Sequence, residues 1–318
     1  MTRPNPFSDL RVVIALATLC ALLWGSAVPG VKIGYALFGI APSDTASLVL
    51  FAGLRFSLAG LLLLGFSAAT GRSVLVTPKR GGELLVMGLL STAGQYAFYY
   101  VGLAHTSGVK VSITTSTSTF FSVLLAHFLY VGDKLTLRRF VGVLIGFLGV
   151  VVVNLGGAGL DLEFSLLGEG FIVLAAVLFS VAGIYGKRLS RDMDVMVMTG
   201  WQLLLGGLVL AVAGLGLGGH IGAVDFGGAV LIGYLALLSA AAFAIWSLLL
   251  KHNPVGRIAI FNTLIPVFGV TLSALFLGEN LFEWKNLAAL ALVSVGIWLA
   301  TSMASPGRLS GGMRDTAI

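Results

Sequence analysis

Charge is what this sequence has least of: Asp, Glu, Lys and Arg together make up 10% of its 318 residues, against roughly 25% in a soluble domain. A surface solvated mainly by water is thereby excluded. Acid is the scarcer sign, with 13 acidic residues against 19 basic ones, and no Asp or Glu falls mid-way along an apolar run. Glu83, Glu169 and Asp44 sit where helices are expected to begin, and a helix dipole favours an acidic group there. Proton or sodium coupling through an intramembrane carboxylate has no obvious seat. Cysteine occurs once, at Cys20, so no intrachain disulfide can form and no Cys-rich metal site exists. There is no Asn-x-Ser/Thr acceptor, no zincin motif, no P-loop and no paired intramembrane carboxylate. No metal, cofactor or catalytic residue is expected.

What is present is apolar: 58% of residues are hydrophobic and the mean hydropathy is +1.02. A bilayer core about 30 Å thick takes roughly 20 apolar residues as a helix. Ten stretches qualify, near 12–35, 45–69, 83–104, 108–131, 137–156, 166–187, 194–217, 227–250, 256–277 and 284–303. Residues 3 to 28 have the basic start and apolar body of a signal peptide. Their apolar run, however, continues to about Val31, long enough to span a bilayer as the first helix. The expected fold is therefore all-α integral membrane with ten transmembrane helices and polar tails at 1–11 and 304–318. The 43 glycines follow no strict period. Gly30-x-x-x-Gly34, Gly142-x-x-x-Gly146 and Gly214-x-x-x-Gly218 read as close helix contacts, within the chain or between copies in a homo-oligomer.

Lys and Arg set the orientation. With the N-terminus in the cytoplasm, fifteen fall on that side: Arg3, Arg11, Arg72, Lys79, Arg80, Lys134, Arg138, Arg139, Lys187, Arg188, Arg191, Lys251, Arg257, Arg308 and Arg314. The other side holds Lys110 and Lys285, with Lys32 near its boundary as a snorkelling anchor and Arg55 inside a helix. Both termini are expected in the cytoplasm of a multi-pass protein of the bacterial inner membrane. The net charge of +6 comes from these short connections and does not call for a nucleic-acid partner.

The chain also repeats itself. A shift of 146 residues places Leu129-Tyr130-Val131-Gly132-Asp133-Lys134-Leu135 on Leu275-Phe276-Leu277-Gly278-Glu279-Asn280-Leu281. A shift of 147 places Gly53 and Gly60 on Gly200 and Gly207, and a shift of 155 places Leu19, Leu23 and Lys32 on Leu174, Leu178 and Lys187. Matches in the same order over five helices predict two units, 12–156 and 166–303. Five is odd, so the second unit enters the membrane from the opposite side, and the repeats are inverted. Transporters use that symmetry to exchange inward-open and outward-open states.

These residues resemble the drug/metabolite transporter superfamily, specifically its ten-helix exporters with two EamA-type repeats. The resemblance is carried by Leu23-Trp24-Gly25-Ser26, Leu54-Arg55-Phe56, Gly102-Leu103 with Thr106-Ser107, and Asn262-Thr263-Leu264-Ile265-Pro266 leading to Leu277-Gly278-Glu279. It departs at Phe120, where the second copy has Pro266, and at Asp133, which replaces the usual Glu. It implies a secondary transporter, an exporter or exchanger, moving small metabolites, amino-acid-like compounds or drugs by alternating access. It also implies a central cavity lined by the first, third, fourth, sixth, eighth and ninth helices.

Several side chains suit such a cavity. Arg55 lies too deep to snorkel, and reads either as an anion contact or gating partner, or as a structural Arg on helix-end carbonyls. The run from Ser112 to Ser122 carries eight hydroxyls, with Ser112, Thr115 or Ser116, and Thr119 on one face; it reads as packing or as a polar wall. Trp24, Gln95 and Tyr99 are too deep for interfacial anchors, and Trp246 is the repeat partner of Tyr100. Asn262 lies four residues before Pro266, and would meet a carbonyl freed by that proline or the solute. Pro29 and Pro266 are the candidate hinges. His127 reads as a packed or interfacial histidine. The rival reading is a membrane enzyme, an acyltransferase using His220 and Asp225 in a His-x-x-x-x-Asp spacing.

Overall fold

The computed structural model describes residues 6–129, 135–155, 163–253, 258 and 260–301. Asp133, Lys134, Arg3, Arg257, Arg308, Arg314 and the tail at 304–318 lie outside them. Among the described residues the chain is helical throughout and no strand occurs. Helix α1 spans Leu10–Leu37 and α2 spans Thr45–Ala69. Then α3 (Pro78–Gly88) runs through a π turn at Leu89–Gly94 into α4 (Gln95–Ala104). Helices α5 (Gly108–Thr114) and α6 (Thr117–Leu129) follow, then α7 (Leu137–Val153). A π turn at Leu166–Gly170 opens α8 (Phe171–Leu189), followed by α9 (Val195–Gly216) and α10 (Phe226–His252). A 3-10 turn at Ile260–Thr263 leads into α11 (Leu264–Leu277), and α12 spans Trp284–Thr301.

Counting helical runs across the π turns and the α5–α6 junction, eight are long and apolar enough to cross a membrane. Phe261–Leu277 is a shorter apolar run, and α7 has 17 residues. The helix starts are written in the connections. Asp9, Asp44, Thr77, Ser107, Thr136, Asp194 and Asp225 each cap a helix by accepting one or two backbone N–H bonds, which satisfies donors a helix leaves orphaned. The third stretch begins at Pro78, before the expected 83, because Thr77-Pro78 is a cap followed by a proline at the first helical position.

Glycine decides how the helices meet. Gly53 faces Ala211, Gly60 faces Leu204, and Gly200, Gly207 and Gly214 face Leu64, Ser57 and Leu50. Position rises along α2 as it falls along α9, so these two helices pack antiparallel with their backbones in contact. Helices α7 and α12 do likewise, with Gly142 on Ala300, Gly296 on Gly146 and Gly149 on Val293. So do α5 and α11, with Gly108 on Ser273 and Gly269 on Ser112. The three Gly-x-x-x-Gly spacings are filled from inside the chain: Gly30 by Leu235, Gly34 by Phe51, Gly142 by Ala300, Gly146 by Phe120 and Gly214 by Leu50. Gly218 has φ +85° and an open surround, so it serves the turn after α9. Around these three pairs, α1 packs on α10 and α11, and α8 packs on α4 and α6.

Candidate functional site

The fourth stretch is broken where it was expected to be continuous. Between α5 and α6, Ser116, Ser118 and Thr119 donate their N–H groups three residues back, to Ile113, Thr115 and Ser116. Hydroxyls bond back to carbonyls through this stretch. Ser112 donates to the Gly108 carbonyl, Thr115 to Val111 and Thr117 to Thr114, and such back-bonding bends a helix. In the repeat-related position, the 3-10 turn at Ile260–Thr263 breaks the run ahead of Pro266. Two different local chemistries make the same kind of interruption.

Both interruptions face one cavity of about 160 Å³, comparable with a hole that admits a benzene ring. Trp24, Arg55, Gln95, Tyr99, Thr115, Ser116, Thr119, Trp246 and Asn262 all line it. Trp24 sits edge-on to Phe243 at 5.7 Å and to Trp246 at 5.1 Å, which makes an aromatic wall. Opposite in chemistry are the hydroxyls of Ser112, Thr115, Ser116, Ser118 and Thr119. Gln95 is 9% exposed and its Oε1 has no hydrogen-bond partner. The two candidate hinges also bear on the cavity. Pro29 cannot donate to the carbonyl of Gly25, nor Pro266 to that of Asn262, and both Gly25 and Asn262 are lining residues. Helix α1 nonetheless runs unbroken through Pro29.

Arg55 is 3% exposed. Its Nε donates to the Leu235 carbonyl at 3.2 Å and to Ser239 Oγ at 2.9 Å, and its Nη1 donates to Tyr100 Oη at 3.0 Å. Phe56 lies under the guanidinium at 4.8 Å. Arg55 is braced by α10 and α4, through a mid-helix carbonyl where a helix-end one was expected, and it also lines the cavity. Among the described residues no carboxylate pairs with it. An Arg at a helix centre costs roughly 2.5–3.5 kcal/mol on insertion scales, so this cation is held at a cost.

Acids hold the start of α5, one turn from the lining residue Ser112. Gly278, with φ +66°, ends α11 in the left-handed conformation and turns the chain so that Glu279 accepts the N–H groups of Gly108 and Val109, both at 2.7 Å. Lys32 lies 3.6 Å from the same carboxylate, so it is an ion-pair partner where a snorkelling anchor was expected. Glu169, 1% exposed, accepts from Thr106 Oγ1 and from the Ser165 N–H at 2.8 Å, with Lys110 at 3.7 Å. Elsewhere Arg72 pairs with Asp194 at 2.7 Å, and Arg80 bridges Glu83 and Asp192. His127 accepts the Leu135 N–H through Nδ1, a packed role.

Tyr96, Phe179 and Phe243 also line the cavity and were not anticipated, and Ser118 of the hydroxyl run lines it too. Tyr96 and Phe243 had a signal, since each lies three residues before an anticipated aromatic, Tyr99 or Trp246, on one helix face. Asp225 is committed to capping α10 through the Gly228 N–H at 2.7 Å, and the His220 N–H donates to Ser47 Oγ. Neither bond joins His220 to Asp225.

Comparison with known proteins follows the same lines. The model of the EamA-like transporter family matches residues 11–155 and again 166–302. A Salmonella typhimurium protein named "Probable amino-acid metabolite efflux pump" is 27% identical over 303 residues, covering 89% of this chain and 93% of its own length. The Escherichia coli inner membrane transporter YedA is 26% identical, covering 87% of this chain and 89% of its own. A protein of known crystal structure is similar in fold with a TM-score of 0.68 at 22% identity, over 92% of this chain and 97% of that one.

Proposed function

The chain belongs to the EamA-like transporter family, and from that premise we propose that it is a secondary transporter, an exporter or exchanger. Its solutes are small metabolites, amino-acid-like compounds among them, moved by alternating access across a bacterial inner membrane. The single observation that carries this reading is the cavity. Trp24, Arg55, Gln95, Tyr99 and the hydroxyls of Thr115, Ser116 and Thr119 come from the first family-matched segment, and Trp246 and Asn262 from the second. A site built at the junction of two repeats is what alternating access needs.

In this reading ten helices cross the membrane as two inverted five-helix repeats, 12–156 and 166–303. The antiparallel packing of α2 on α9, α5 on α11 and α7 on α12 supports it, because a two-fold axis in the membrane plane pairs each such helix with its own counterpart. The contacts of α1 with α10 and α11, mirrored by those of α8 with α4 and α6, support it too. Both termini lie in the cytoplasm, with the fifteen basic residues. The preferred energetic mode is facilitated exchange, since no carboxylate is among the lining residues.

The test is counterflow in proteoliposomes with a panel of labelled metabolites. Uptake should accelerate with unlabelled solute on the far side. Trp246→Ala should lower the sub-saturating rate about tenfold, equivalent to about 1.4 kcal/mol, while Gly183→Ala, where an added Cβ meets nothing, should leave it unchanged. A panel without any accelerated exchange would overturn the reading.

A further inference from the structure

Among the described residues the cavity carries charge of one sign only: its 22 lining residues include Arg55 and no Asp, Glu, Lys or His. A guanidinium keeps its proton in proteins, so the cavity carries a fixed positive charge. The groups that brace Arg55 are a carbonyl, a serine hydroxyl and a tyrosine hydroxyl, and none of them carries a compensating charge. They use Nε and Nη1; no hydrogen bond to Nη2 forms among the described residues. Among the described residues neither Glu279 nor Glu169 pairs with it. Glu279 is spent on Lys32 and the first turn of α5, and Glu169 on Lys110, Thr106 and Ser165.

We propose that the cavity selects solutes bearing a negative group, such as a carboxylate, with Arg55 as the specificity-determining counter-ion, and that it disfavours cations despite its aromatic wall. The proposal deepens the transporter reading, since it names the charge class that the same site accepts. Aromatic faces attract cations, so Trp24, Phe243 and Trp246 alone would have predicted the opposite preference. Arg55 decides between them because a full charge in a cleft of reduced dielectric outweighs a ring quadrupole. Its bracing also matters: a guanidinium held at two donors presents its remaining donor edge in a fixed direction, the geometry suited to an oxyanion. A lysine in its place would keep the sign of the charge and lose the fork.

The test reads the cavity charge with small ions, before any solute is identified. In a variant with Trp201, Trp284 and Trp298 replaced by Phe, fluorescence comes from Trp24 and Trp246, both in the cavity wall. Collisional quenching by iodide, caesium and neutral acrylamide is then compared, in the same detergent and ionic strength. Iodide should quench several-fold more efficiently than caesium, relative to their quenching of free N-acetyltryptophanamide. Arg55→Gln should bring the ratio to that of the free fluorophore, and Arg55→Lys should retain it. Unchanged acrylamide quenching certifies that each variant keeps its cavity. An iodide-to-caesium ratio at or below the free value, or one that survives Arg55→Gln, would overturn the proposal. So would an Arg55→Gln protein too unstable to purify together with an Arg55→Lys protein lacking the preference. Counterflow of 4-methylpentanoate and of isopentylamine in proteoliposomes separates the two readings. Loss of all exchange with the ion ratio intact strikes the transporter reading, whereas faster exchange of the amine strikes this one.

Discussion

Asp194 shows how a single side chain works on two scales of energy at once. It caps α9, accepting the N–H groups of Met196 and Val197, and pairs with Arg72 at 2.7 Å. Partial burial pushes its carboxyl up, but the Val197 N–H, the Arg72 guanidinium and the Met196 N–H outweigh that and hold it below its ordinary value of 3.8. A depressed carboxylate stabilises the fold above its unfolded pKa, and the contribution is lost as pH falls through the folded one. Asp194→Asn keeps a competent cap and removes only the pair, which is about a third exposed, so the cost at pH 7 should be under about 1 kcal/mol. Asp194→Ala removes the cap as well and should cost about 1 kcal/mol more. Thermal unfolding in detergent checks both. The Asn variant should converge on the parent below the ordinary carboxylate range, while the Ala variant should remain less stable there. A difference between parent and Asn variant that widened on acidification would show that the ion pair is not the cause.

Helix pairs are where the sequence speaks most plainly, and also where it is silent. Gly53, Gly60, Gly200, Gly207 and Gly214 fall at intervals of seven on α2 and α9, and a Cβ on Gly214 would lie 2.7 Å from that of Leu50. Leucine at Gly207 should therefore destabilise the bundle by at least the ~1–3 kcal/mol of ordinary overpacking. The same change at Gly183, with nothing within 4 Å, should cost little. Equal apparent Tm losses in the two variants would remove the backbone-contact account of this seam. The glycine period of that seam was legible as a repeat and not as a contact, Asp44 was legible as a helix start, and so was the depth of Trp24, Gln95 and Tyr99. The break at Thr115–Thr117 was not, because hydropathy sees hydroxyls as mildly polar and not as competitors for backbone carbonyls. Lys32 was misread for a related reason: its partner Glu279 is 247 positions away and reaches it only through the turn at Gly278. Tyr96 and Phe243 were missed although helical spacing pointed to them, since neither is polar enough to stand out in an apolar run. Thr115→Val with Thr117→Val should restore a straighter helix and narrow the cavity, lowering exchange with little loss of Tm. A double variant with full exchange would make the hydroxyl run a packing feature.

At the scale of the whole molecule the two ends of the cavity are unequal. Where Lys32, Glu279 and Glu169 meet the first turn of α5, residues 111–114 are buried on every face. Toward the other end, residues 121–127 on α6, 245–248 on α10 and 261–265 ahead of and within α11 are half-buried throughout. Packing is thus tighter at the end assigned to the outside, and in the proposed orientation the expected opening is toward the cytoplasm. Of the two acids there, Glu279 alone holds the first turn of α5, through two N–H groups, and Lys32 as well, so its loss should loosen this end most. Glu279→Gln retains an acceptor oxygen but loses the charge that both the helix start and Lys32 favour. It should shift the population toward an outward-open state. In a Cys20→Ala background, Thr115→Cys on the cavity wall reports the shift to a membrane-impermeant maleimide. In intact cells with the outer membrane permeabilised, labelling should be slow in the parent and at least about tenfold faster with Glu279→Gln. In inverted vesicles it should be fast in the parent and slower in the variant. Labelling from the outside that is fast in both would mean the end held by Glu279 is not a closure. Fast labelling of the parent from the outside only would reverse the orientation itself, with the fifteen basic residues then on the wrong side.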